Sequence, residues 1–181
     1  MNEKSTKPDF IGIGLEKTGT TWLYSILSQH HDVWTPPVKE LRYWSMDTML
    51  IPKAGVISRW RKSHWNYLNR KQYAKKVLRP SCIMKDLRQT FWNIRYLFFP
   101  YTDRNYQSLF SAGAGMTCGD ITPSYFIIGD DKIKRLKRLN PNLKVILLLR
   151  NPVDRTWSKA KMNLCGNRYR SIEEVSENEL N

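Results

Sequence analysis

The chain has 181 residues, 41% of them hydrophobic and 12% aromatic, enough to bury a core of its own and too apolar for a disordered protein. Its 30 Lys and Arg against 16 Asp and Glu give a formal net charge of +14, which points to an anionic partner such as a nucleotide, a polyanion, nucleic acid or a membrane surface. Three cysteines, Cys82, Cys118 and Cys165, are too irregularly spaced for a disulfide framework or a zinc site. Cys82 and Cys118 lie in apolar runs and read as small core residues.

The first eight residues are polar, with no apolar stretch of signal or anchor length, so a reducing cytoplasm is the expected compartment. Residues 10–13 form a short apolar, β-branched run expected to be a buried parallel strand. Gly14 and Gly19 bracket a break. An amphipathic helix then opens at Thr20, with Leu23, Ile26 and Leu27 on one face. A strand, a glycine-bearing turn and a helix N-terminus converge free N–H groups and the positive end of the helix dipole on one point. Lys17 adds a full charge there, and Thr18, Thr20 and Thr21 add hydroxyls. The stretch reads as a phosphate-type binding loop, the alternative being a glycine-rich turn before an ordinary helix. A nucleotide-kinase loop has Gly-x-x-x-x-Gly-Lys-Ser/Thr. Here Gly14 and Gly19 keep that spacing, but Thr20 stands in the lysine's place and the lysine lies two residues upstream of Gly19.

Residues 33–35 are expected to form a short second strand. Pro36 and Pro37 cannot continue a central strand and force an extended exit, which delivers Lys39 and Glu40 to the strand-end side where the loop lies. Glu40 is open to two readings: a proton acceptor within reach of a substrate, or half of a solvated pair with Lys39. His30 and His31 read as capping and surface residues, because no third metal ligand has suitable spacing. Residues 51–80 carry nine Lys and Arg and no acid, interleaved with aromatics. They are expected to form one or two helices packed on the sheet through Trp65, Leu68 and Tyr73, their basic face in water and suited to steering an anionic substrate.

Residues 81–85 read as a short buried strand, 90–100 as a helix, 106–110 as a helical turn, and 116–119 as a strand leading into Asp120. Asp130 and Asp131 open a basic helix with Ile133, Leu136 and Leu139 on one face, stopped by Asn140 and Pro141. Residues 144–149 are the clearest buried strand in the chain. A P-loop NTPase would finish such a strand with an Asp that helps hold magnesium. This one finishes with Arg150, a cation suited to direct phosphate contact without a metal. Pro152 marks a helix start, and Ser171 with Glu174 forms a capping box for a further helix.

Four of these stretches carry a family resemblance. The loop Lys17, Thr18, Gly19, Thr20, Thr21 resembles the 5′-phosphosulfate loop of sulfotransferases that use PAPS (3′-phosphoadenosine-5′-phosphosulfate). Arg150, Pro152, Arg155 and Ser158 resemble that family's 3′-phosphate site, in which the arginine grips the phosphate and the serine donates a hydroxyl. Lys39 and Glu40 fall where heparan-sulfate and bacterial-type members have Pro-Lys-Glu-x-His-Phe-Phe, whose Glu is the catalytic base. Arg42 stands at the His position, and Tyr43 and Trp44 replace the two Phe. Gly119, Asp120, Thr122, Pro123 and Tyr125 are similar to a Gly-Glu-x-Thr/Ser-Pro-x-Tyr run beside the acceptor, with Ile121 where heparan-sulfate enzymes carry Lys.

The resemblance implies a three-layer, P-loop-like α/β fold with a mostly parallel central sheet, in a single domain over residues 1–181 that lacks the family's C-terminal part. It implies transfer of a sulfuryl group from PAPS to a hydroxyl or amine of an acceptor, carbohydrate being one candidate. Lys17 and Glu40 would be catalytic. PAPS would be held by Lys17, Thr18, Gly19, Thr20, Thr21, Trp22, Arg150 and Ser158. Arg42 and Asp120 would face the acceptor, and no metal is required. Two other classes stay open. The displaced lysine and the missing strand-end Asp disfavour a P-loop kinase. A non-catalytic basic module for polyanions or nucleic acid is favoured by the charge.

Overall fold

The computed structural model describes residues 7–45, 73–75, 77, 87–98 and 102–165. Four strands form one sheet in the order β2-β3-β1-β4: β1 (Phe10–Gly12), β2 (Val33–Trp34), β3 (Thr117–Ile121) and β4 (Lys144–Ile146). All three pairings are parallel. Parallel neighbours need long crossover connections, which helices supply. The described helices are α1 (Thr20–Leu27) after β1, α2 (Leu87–Phe98) and α3 (Asp103–Ser108) before β3, α4 (Asp130–Leu139) between β3 and β4, and α5 (Pro152–Cys165) after β4.

β1 is buried along its length because β3 and β4 flank it on both sides. Phe10 pairs with Gly119, and a Cβ at Gly119 would come within 2.0 Å of the Phe10 ring, so only glycine fits the register there. Several described aromatics of the middle of the chain are core, Trp92, Tyr96, Tyr106 and Phe110 among them, while Phe91 and Phe98 are exposed. Tyr43 stacks on Tyr106 with ring centroids 4.6 Å apart, Trp44 meets Tyr106 edge-on, and the Trp92 indole N–H donates to the Leu109 carbonyl at 2.8 Å. Tyr73, Ala74 and Val77 pack against this cluster. α4 carries Asp130 and Asp131 in its first turn and Lys137 and Arg138 in its last, each charge matched to the helix dipole. Asn140 ends it and donates from Nδ2 to the Pro8 carbonyl at 2.9 Å, which ties the helix end to the start of β1.

Three expectations differ from the observed fold. Residues 144–149 form a strand only to Ile146, and it is exposed, with Val145 56% and Leu149 72% accessible. Among the described strands β4 pairs with β1 alone, so a run whose composition suits a central strand sits at an edge. α1 buries only Thr20, and Ile26 of its expected inner face is 50% exposed. On α4, Leu136 is buried but Ile133 is half exposed. Trp65, Leu68, Cys82, the strand expected at 81–85 and the capping box at Ser171 and Glu174 lie outside the described residues. Cys118 is buried, and burial followed by the nearby Asp9 carboxylate pushes its thiol up to about 11. No helix among the described residues is long and apolar enough to cross a membrane.

Candidate active site

Most of the residues singled out by the sequence meet beyond the C-terminal ends of β1 and β4, where parallel sheets place their ligands. After β1 the chain turns through Lys17 and Gly19, with φ of 69° and 98°, and enters α1 at Thr20. Gly19 is the N-cap and no side chain caps the helix, so its first-turn N–H groups are not claimed by side chains. A Cβ at Gly19 would meet nothing within 4 Å. Open space before an uncapped helix N-terminus is anion-binding geometry. Thr18 serves the turn itself, its hydroxyl donating to the Leu15 carbonyl at 2.6 Å.

β4 brings the second cation. Arg150 donates from Nη1 to the Lys17 carbonyl at 3.4 Å. Asn151 then caps α5, its Oδ1 accepting from the Val153 and Asp154 amides, and the helix starts at Pro152. α5 runs back beside the loop, where Lys159 pairs with Glu16 and the Lys17 ammonium reaches Met162 Sδ at 3.7 Å.

The third component comes from beyond β2. Tyr24 of α1 donates its hydroxyl to the Pro36 carbonyl at 2.6 Å, fixing the proline exit that leads to Lys39 and Glu40. Lys39 donates to Glu40 Oε1 at 2.9 Å, and Arg42 donates to Oε2 from Nε at 3.1 Å and Nη2 at 2.6 Å. Burial raises the Glu40 carboxyl, but the combined contacts of Arg42 and Lys39 outweigh it and hold the group below its ordinary value. It is ionised at neutral pH. A carboxylate offers about four lone-pair positions, so these three hydrogen bonds leave room for one incoming proton.

Lys17, Gly19, Thr20, Thr21, Glu40, Arg42, Arg150 and Ser158 line one cleft of about 860 Å³. Lys39 and Lys159 bring its cations to five, against Glu16 and Glu40. Lys17, Glu40 and Arg42 are also the non-glycine residues of positive φ among the described residues. Such conformations cost about 1–3 kcal/mol each and cluster at functional sites. Trp22, 67% exposed, does not line the cleft. Nor does Asp120, which is 1% exposed: its Oδ2 accepts from the Tyr106 and Tyr125 hydroxyls at 3.2 and 2.6 Å, and its Oδ1 from Thr122 at 2.8 Å. Burial pushes this carboxyl up to about 6, against the opposing pull of Tyr125, Thr122, Tyr106 and the Leu41 amide.

Sequence reasoning did not single out Lys159 and Met162, which also line the cleft. Helical spacing from Ser158 would have found Met162, four residues on and therefore on the same face. His30, His31 and Asp32 place one potential ligand atom each within 4.8 Å of one another, where the Asp32 amide donates to His30 Nδ1 and His31 Nε2 meets the Asp32 carboxylate. All three are exposed and none lines the cleft.

Comparison with known proteins bears on the family and the fold. The family model described as "Sulfotransferase family" matches residues 8–180. The fold is similar to the crystal structure of a sulfotransferase from Alicyclobacillus acidocaldarius, with TM-score 0.52 and 25% identity. That match covers 92% of this chain and 53% of the other, so this chain spans about half the length of the solved relative. No curated protein matches the chain. The parallel sheet with its flanking helices is the three-layer, P-loop-like α/β fold of that relative. With the family model matched over nearly every residue, the chain belongs to the sulfotransferase family.

Proposed function

We propose that the cleft binds PAPS and that the chain's residues carry its sulfuryl group to a hydroxyl or amine of an acceptor. The observation that carries this reading is the meeting, in one cleft, of an uncapped helix N-terminus, Lys17, Arg150 and an ionised Glu40. The open space at Gly19 and the excess of cations fit a nucleotide bearing both a phosphosulfate and a separate phosphate. PAPS supplies an activated sulfuryl group attached to a phosphate that can leave.

Lys17 and the α1 amides neutralise charge on that phosphate as the bond between sulfur and the bridging oxygen breaks. Arg150 and Ser158 hold the 3′-phosphate, the guanidinium in two-pronged fashion. Glu40 takes the proton that the acceptor loses as its oxygen or nitrogen bonds to sulfur, and PAP (the desulfated nucleotide) leaves. Arg42 at the mouth of the same cleft meets the sulfuryl group or an anionic acceptor. Protein cations supply the countercharge, with no step assigned to a metal.

Thermal unfolding with PAP, with ATP and magnesium, and without ligand tests the reading. A ligand bound only by the folded state raises Tm by mass action. A rise with PAP and none with ATP is the expected result. A rise with ATP and magnesium alone would move the assignment to a kinase, and no rise with either would leave a basic binding module.

A further inference from the structure

Asp120 is one of the most thoroughly buried side chains in the molecule, it carries a charge, and it lies outside the cleft. Three donors converge on its two oxygens, the hydroxyls of Tyr106, Tyr125 and Thr122. An acceptor-only group suits that demand, since an amide would turn an NH2 toward one of the donors. Leu41 sits between Glu40 and Arg42, whose φ values of 64° and 56° are both left-handed. Thr122 reaches the same segment, accepting from the Arg42 amide at 3.5 Å. Tyr106, held by Asp120, stacks under Tyr43, the next residue along.

We infer that Asp120 is a positioning residue for the Glu40 side of the cleft: through Thr122 and Tyr106 its buried carboxylate holds residues 40–43 in the strained turn that clamps Glu40 between Lys39 and Arg42. Two left-handed excursions so close together persist only where the surroundings over-determine them, and the network on Asp120 supplies that determination. The role deepens the sulfotransferase reading, resting on it for the use made of Glu40 but not for the turn itself.

The test replaces Asp120→Asn and follows backbone amide exchange and the Glu40 carboxyl titration by NMR, with the PAP-induced rise in Tm as a control. The charged groups facing Glu40 are Lys39 and Arg42, and those contacts are what the titration reads. The expected result is exchange of the Arg42 amide roughly ten- to a hundredfold faster, with the Glu40 titration moving up toward the ordinary carboxylate value. Protection across β1 and α1 and the response to PAP stay as in the parent. Unchanged exchange at residues 40–43 in a folded variant would overturn the assignment, as would a loss of protection spread evenly over the sheet. Should Asp120→Asn not fold, Thr122→Val decides: it leaves the carboxylate in place and is expected to release the Arg42 amide and raise the Glu40 titration. An absence of any PAP response in the parent would sink the cofactor reading while leaving the exchange and titration results to judge the turn.

Discussion

The two walls of the cleft are built in opposite ways. On the Glu40 side, a left-handed turn is held from behind by Asp120 and its hydroxyl donors, by stacked aromatics and by the buried Leu41. On the Arg150 side, an exposed edge strand leads to an exposed guanidinium whose hydrogen bond to the loop spans 3.4 Å. One wall is preorganised and the other is open. On the proposed reading, the proton acceptor would be fixed before any ligand arrives, whereas the cations proposed to hold the nucleotide would gain their full geometry from the anion they bind. Preorganised electrostatics acts on chemistry, while exposed charge acts on encounter and is screened by salt.

Glu40→Gln should have the largest effect. It removes the proton acceptor without changing shape, and transfer should fall by about 10²–10⁴-fold with PAP affinity little changed. In the parent, the rate should stay level as pH falls to the ordinary carboxylate value and drop only below it, because Glu40 is held below that value. The sign follows from linkage: a depressed carboxyl favours the folded, ionised form above its unfolded pKa, and that contribution is lost as pH falls through the folded value. A rate already falling at the ordinary value would break the picture of a clamped base.

Lys17→Ala comes next, with transfer reduced about 10²–10³-fold and circular dichroism unchanged, since its side-chain contact is the partly exposed one to Met162. Unchanged transfer would remove Lys17 from the mechanism. Arg150→Ala should weaken PAP binding about 10- to 100-fold, measured by calorimetry, and should flatten the dependence of affinity on salt. An equal loss of rate at saturating nucleotide would show that this wall is preorganised too. Lys159→Ala should matter least. Its pair with Glu16 is exposed on both sides, and such pairs contribute about 0–1 kcal/mol, so the urea midpoint should scarcely move.

Much of the open wall was legible in the sequence. The break at Gly14 and Gly19, the misplaced lysine, and an arginine at the end of an apolar strand before Pro152 are local features. Local chain geometry is enough to turn them into a loop, a helix N-terminus and a cation. The Glu40 wall was legible only in part. Pro36 and Pro37 announce an exit, but no residue type marks Glu40 or Arg42 as left-handed, since glycine occupies neither position. Asp120 read as a residue facing the acceptor because its motif resembles the family's Gly-Glu-x-Thr/Ser-Pro-x-Tyr run beside the acceptor; of that motif Pro123 lines the cleft and Asp120 does not. Its burial follows from its place in β3, which is buried from Cys118 to Ile121, and from Tyr106 and Tyr125 closing over it.

The α/β class, the anion loop after β1 and the cationic end of β4 were written into the chain locally, because hydrophobic period, glycine placement and capping act within a few residues. It took the folded arrangement to bring Lys17 and Arg150 together, to clamp Glu40, to set Asp120 behind the cleft and to pair β4, among the described strands, with β1 alone. Those outcomes depend on which strands become neighbours, through contacts between residues 80 or more positions apart, such as Arg42 with Thr122 and Arg150 with Lys17. Local periodicity carries no record of such pairings.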